Sequence, residues 1–93
     1  MIQNFKSKET EKIFHRLISR KLPQAIQQVA LRKLRMLNRA TTFNDLRVPP
    51  GNQLEKLTKD RAGQHSIRIN DQWRICFEWN NGDAMNVEIV DYH

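Results

Sequence analysis

Four residues toward the C-terminal end have the types and spacing to hold a phosphate and move protons around it: Arg68, Arg74, Tyr92 and His93. The argument rests on strand parity, because side chains alternate faces along a β-strand. Three strands are predicted, Gln64 to Ile69, Trp73 to Trp79 and Ala84 to Asp91. Ile67, Ile69, Ile75, Phe77, Trp79, Met85, Val87 and Ile89 then form one apolar face. Keeping that set together pairs Ile69 with Trp73 and Ile67 with Ile75, so Arg68 faces Arg74. In the next hairpin, Trp79 opposite Met85 and Phe77 opposite Val87 imply a five-residue loop. Cys76 then faces Glu88, and Arg74 faces Val90. Tyr92 has the parity of Val90 and is a diagonal neighbour of Arg74, about 7 Å away by sheet geometry. His93 follows beside it.

Two arginines opposed across a strand pair destabilise the sheet. Glu78 and Glu88, on the same face, are one source of compensation. The other is a bound anion such as a phosphate, with Tyr92 and His93 as the proton-transfer groups beside it. Parity leaves both readings open.

The elements that position this face lie upstream. Ile2 to Phe5 alternates weakly and suits a short first strand. Ser7 can cap a helix with Glu9 and Glu11 near the positive end of its dipole. Ile13, Phe14, Leu17 and Ile18 recur at helical spacing as its apolar stripe. Pro23 opens a second helix, whose buried stripe is Ile26, Val29, Ala30, Leu34 and Leu37. On its opposite face Gln24, Gln28, Arg32, Arg35 and Arg39 form a row that is either a basic binding stripe or plain solvated surface. Thr41 to Asn52 reads as a loop, with one short helical turn at Phe43 to Leu46. Leu54 and Leu57 bracket an extended segment, and Asn80-Asn81-Gly82-Asp83 is a strong hairpin signal. The fold class is therefore α+β: a short N-terminal strand, then two helices packed on one face of a small antiparallel sheet.

Ninety-three residues predict a single domain over positions 1–93. No apolar run approaches the roughly 20 residues that span a bilayer, and the first residues do not read as a signal peptide. One cysteine, Cys76, and three scattered histidines argue against a disulfide or a zinc site, so no metal or cofactor is expected and a cytoplasmic location is the default. Cys76 reads as a strand filler, His65 as a packed histidine, His15 as surface, and Trp73 and Trp79 as core. The net charge is +6, and residues 1–40 carry +8 of it against −2 for residues 41–93. A basic N-terminal half fits a polyanion such as nucleic acid, or an acidic protein.

The C-terminal half carries recognisable segments: Pro49-Pro50-Gly51-Asn52-Gln53-Leu54-Glu55, Asp60 through Asn70, Trp73-Arg74-Ile75-Cys76-Phe77-Glu78-Trp79, and the ending Val87-Glu88-Ile89-Val90-Asp91-Tyr92-His93. In these the chain resembles the HigB branch of the RelE/ParE toxin superfamily, also called plasmid-maintenance killer proteins. Residues 1–40 match in organisation rather than motif. The resemblance implies the RelE-like fold and a toxin of a type II toxin–antitoxin pair that enters the ribosomal A site and cuts mRNA. It implies a HigA-type helix-turn-helix antitoxin as partner, with operator DNA contacted only through that antitoxin. By the resemblance, Arg74 falls at an active-site arginine, and Asp91, Tyr92 and His93 at the catalytic ending. Some relatives have a His or Lys in the segment matching Glu55 to Lys59; here Glu55 and Thr58 stand there, with Lys56 and Lys59 adjacent. Charge and parity add Arg61 and Arg68 to the RNA-binding set, alongside Arg32, Arg35 and Arg39.

The implied chemistry requires no metal. The RNA 2′-OH attacks the adjacent phosphorus, leaving a 2′,3′-cyclic phosphate and a free 5′-OH, with a base, an acid and a cation to hold developing charge. Arg74 would hold the charge, Tyr92 and His93 would share the proton transfers, and Asp91 would orient one of them. A gyrase-directed binding toxin of the ParE type, which cuts nothing, is the alternative on the same scaffold.

Overall fold

The computed structural model describes residues 1–91; Tyr92 and His93, and the expectation that they stand beside Arg74, lie outside the described residues. The first helix, α1, spans Lys8–Phe14. Ser7 caps it, its Oγ accepting from the Thr10 N–H at 3.3 Å. The stripe expected to run on through Leu17 and Ile18 stops early. Arg16 takes a left-handed backbone, with φ of +64°. Its N–H donates to the Ile13 carbonyl at 3.0 Å, and the Leu17 N–H donates to that of Lys12 at 2.8 Å. This pair of bonds closes a helix end that usually uses glycine. Leu17 and Ile18 therefore leave the helix and stay 59% and 70% exposed.

The second helix, α2, spans Gln24–Arg39 and follows Pro23. Ile26, Ala30, Leu34 and Leu37 are buried as expected, and Lys33 is buried with them. The expected turn appears as a short 3-10 helix at Phe43–Arg47, held by reciprocal bonds between Thr42 and Asp45. The Asp45 carboxyl lies below its ordinary pKa because it accepts backbone N–H bonds from Thr42 and Thr41.

Four antiparallel strands follow in sequential order: β1 (Glu55–Lys56), β2 (His65–Arg68), β3 (Trp73–Asn80) and β4 (Asp83–Asp91). Ile67 faces Ile75, and Arg68 faces Arg74, as parity required. Cys76 faces Glu88, and Arg74 faces Val90. The expected first strand is reduced to two parallel bridges on β4, Ile2 with Ala84 and Phe5 with Val87. Leu34, Leu37, Ile67, Ile75, Phe77 and Val87 fill the core between the helices and the sheet.

The last hairpin departs from the five-residue loop. Asn80 pairs with Asp83, leaving Asn81 and Gly82 as the turn, with φ of +49° and +86°. Positive φ at both positions matches strand twist. A Cβ at Gly82 would also come within 3.0 Å of the Thr41 carbonyl. The tight turn shifts the register by one, so Glu78 faces Met85 and Ala84, fully buried, takes the core place opposite Trp79. Met85 thus leaves the apolar face assigned to it. An extra residue, Asn86 with φ of +52°, then bulges out of β4 and returns Val87 and Ile89 to the core face. Asn4 clamps the bulge. Its Oδ1 accepts from the Asn86 N–H at 3.0 Å, and its Nδ2 donates to Asn86 Oδ1 at 2.9 Å.

Candidate active site on the outer face of the sheet

Arg74 sits on the sheet face turned away from α2, yet only 7% of it is exposed. Its Nε donates to the Ser66 Oγ at 2.7 Å, and Nη2 donates to the Gln53 carbonyl. Its Nη1 lies 3.3 Å from Glu55 Oε1. Gln53 itself holds a left-handed backbone, φ +43°, at the end of the Pro50–Asn52 turn. A guanidinium gripped at separate nitrogens has one orientation, the preorganisation that a developing oxyanion requires.

Around it the register builds a row across all four strands: Glu55, Ser66, Cys76 and Glu88. Arg61 reaches over this row, with Nη1 3.3 Å from Glu88 Oε1 and 3.2 Å from Gln64 Oε1. Burial holds the Cys76 thiol protonated by raising its pKa. It is a buried filler, as read from the sequence.

The compensation for opposed arginines differs from the expected one. Glu88 serves Arg61, and Glu78 accepts from Asn86 Nδ2 at 2.7 Å. Arg68 is bound instead by Asp71 in the β2–β3 turn, and Arg74 by Glu55 from the edge strand. Asp71 is three residues from Arg68, whereas Glu55 reaches Arg74 across the intervening strand β2. Asp91 pairs with Trp73 at the end of β4, on the parity of Ile89 and not of Arg74, and its Oδ2 accepts from Gln72 Nε2 at 3.0 Å. Lys56 pairs with His65 and has the opposite parity to Glu55, and Lys59 is exposed in a 3-10 turn. His65 is packed as expected, its ring 4.6 Å from that of Phe43. Parity missed Ser66 and Gln53 as the groups that hold Arg74. Ser66 shares the face and lies two positions before Arg68, so its placement was legible; the carbonyl of Gln53 was not.

Arg32 and Arg35 lie elsewhere, on the exposed side of α2. With Arg16, Gln28, Val29 and Leu31 they line a hollow of about 460 Å³. A second hollow of about 270 Å³ continues it past Leu17 and Ile18. Arg39 is exposed at the end of the same helix.

The fold and this site find a counterpart among known proteins. Residues 3–93 match the family described as RelE-like toxin of type II toxin-antitoxin system HigB. The chain belongs to this family of HigB-like toxins. Toxin HigB-1 of Vibrio cholerae is 41% identical over 91 residues, 92% of each chain. Endoribonuclease HigB of Proteus vulgaris is 31% identical over 93 residues, the whole of both chains. An uncharacterised Haemophilus influenzae protein is 37% identical over 67 residues, 72% of this chain and 66% of its own. HigB-like toxins act in type II pairs, so an antitoxin is this chain's partner. The match to HigB relatives disfavours the gyrase-directed alternative. No helix among the described residues is long and apolar enough to cross a membrane.

Proposed function

We propose that this HigB-like toxin is an endoribonuclease that cuts mRNA in the ribosomal A site without a metal. The observation that carries the reading is the Arg74 guanidinium, fixed by Ser66, Gln53 and Glu55 on the outer face of the sheet. The name of the Proteus vulgaris relative supports it. The RNA 2′-OH attacks the neighbouring phosphorus and expels the 5′ oxygen. Arg74 stabilises the charge that grows on the phosphoryl oxygens. Tyr92 and His93 take the 2′ proton and return one to the leaving oxygen, and Asp91 orients one of them. Arg61, Arg68, Lys56, Lys59 and Arg39 contact RNA phosphates, which positions the substrate without reading its sequence.

The partner is a helix-turn-helix antitoxin of the HigA type, and operator DNA is met through it. The groove between α1 and α2 suits an acidic, amphipathic segment of that antitoxin. One of its two hollows offers exposed Leu17 and Ile18, the other is lined by Arg32 and Arg35, and Arg16 borders both. Exposed aliphatic side chains next to arginines suit a protein partner. A pure phosphate surface has no use for the two aliphatic side chains.

Primer extension on a reporter mRNA tests the nuclease reading, in a translation reaction and on the same RNA without ribosomes. Cuts confined to the translated frame are the expected result. Intact RNA in both reactions, from folded protein, overturns it and leads next to gyrase assays.

A further inference from the structure

Lys33 breaks the pattern of its helix. It stands on the buried face of α2 with Ile26, Ala30, Leu34 and Leu37, and only 6% of it is exposed. Burying an ammonium is costly unless its protons are taken up. Its Nζ donates to Asn52 Oδ1. Asn52 is itself fully buried, and its Nδ2 donates to the Leu46 carbonyl at 3.1 Å and the Val48 carbonyl at 3.3 Å. Both ends of that side-chain amide are thus committed. The next residue is Gln53, whose left-handed backbone aims its carbonyl at the Arg74 guanidinium. Burial, with Arg32 and Arg68 nearby, lowers the Lys33 pKa.

We infer that Lys33 is a positioning residue for Arg74. It acts through Asn52, which ties the Pro50–Asn52 turn to α2 and so fixes the Gln53 carbonyl against the guanidinium. A methionine at position 33 would fill the same space and bury no charge. The lysine's contribution is the bond to Asn52 Oδ1, which links the turn to α2. The inference rests on the proposed nuclease only where cleavage is the readout, so the test has a second readout that does not need activity.

The test compares the full chain with Lys33→Met and with Asn52→Ser, which removes the amide acceptor together with the Nδ2 donor to the Leu46 and Val48 carbonyls. Hydrogen exchange of the Arg74 Nε–H is followed by NMR, its signal assigned by its loss in Arg74→Ala. Both variants should exchange that proton at least tenfold faster, while backbone amides of β2 and β3 keep their protection. In translation reactions kcat for cleavage should fall about tenfold with KM within twofold, the signature of a mispositioned catalytic group. In an Arg74→Ala background, Lys33→Met should add no further loss. Unchanged Nε–H exchange with unchanged kcat overturns the inference. Equal loss of protection across the whole sheet also overturns it, because Lys33 would then support the fold alone. Faster Nε–H exchange in a protein whose wild type cuts no mRNA retains the link to Arg74 and discards the nuclease.

Discussion

Glu55 Oε1 lies 3.3 Å from Arg74 Nη1, although a whole strand, β2, separates the strands that carry them. The carboxylate is half exposed and the guanidinium is buried. A phosphate entering the face must therefore compete with Glu55 for Arg74. Glu55→Gln removes that competition while Ser66 and Gln53 still hold the guanidinium. KM for ribosome-bound mRNA should fall severalfold, and the melting temperature should hardly move, since a bridge with one exposed partner contributes under about 1 kcal/mol. A loss of kcat near a hundredfold would instead make Glu55 the proton acceptor.

Arg74→Ala should lower cleavage in translation reactions by about 100-fold or more, the scale of losing one oxyanion donor. Arg74→Lys should fare little better, because a point charge cannot bridge Ser66, Gln53 and Glu55 together. Ser66→Ala leaves the Nε–H without its 2.7 Å acceptor and should cost about 1.5–3 kcal/mol of stability along with activity. Circular dichroism at matched concentration separates lost function from lost fold. Full cleavage by folded Arg74→Ala would end the assignment.

Ile18→Asp puts a like-charged, hydrated group where an acidic antitoxin segment is proposed to seat. It should weaken capture of a HigA-type antitoxin at least tenfold, about 1.4 kcal/mol. Cleavage by the free toxin should stay unchanged. Calorimetric titration reads the first and primer extension the second. Unaltered antitoxin affinity would return the groove to ordinary surface.

His65 makes stability depend on mild acid. Its Nδ1 is buried without a partner, and burial, followed by the charge of Lys56, lowers its pKa below the ordinary 6.5. The unfolded chain therefore binds a proton that the folded chain refuses. Stability is fully present above the unfolded value and is lost as pH falls through 6.5 toward the lower folded pKa. Melting curves between pH 7.5 and 5.5, a window set by an unfolded value of about 6.5, should shift down more for the wild type than for His65→Phe. Parallel shifts would remove His65 from the account.

Arg16→Gly should stabilise the chain by roughly 0.5–1 kcal/mol, because a left-handed non-glycine costs more than glycine's extra unfolded freedom. In a domain of this size that is a rise of a few degrees in melting temperature. A fall instead would mean that the Arg16 side chain supports the fold.

The apolar alternation of Ile67, Ile69, Ile75 and Phe77 made the Arg68–Arg74 pairing legible, because a one-residue slip would turn a core face to water. The same rule failed for Met85. There the Asn-Gly turn governed the register, and the bulge at Asn86 that restores parity is a backbone conformation with no side-chain period to announce it. Leu17 and Ile18 kept a helical spacing that the chain abandons at Arg16, where an arginine stands in a position glycine usually marks. Parity placed Arg74 opposite Arg68, and the family resemblance singled it out as a candidate. Its holders were less visible: Gln53 contributes only a carbonyl, and Glu55 acts from a strand of two residues. Lys33 was hidden because burial of a lysine contradicts every composition rule that would be used to find it.

Asn4 clamps a bulge 82 positions further along the chain. Thr10, in the first helix, likewise receives the Ile89 N–H at 2.9 Å. The early segments thus wait, during synthesis, for the last strand to arrive. A nascent chain lacking β4 has neither its bulge clamp nor the strand that pairs Val90 with Arg74. Nascent chains tethered at increasing lengths should resist proteolysis only once β4 has left the ribosome. A toxin proposed to act inside translating ribosomes is by this order of assembly harmless to the one that is making it.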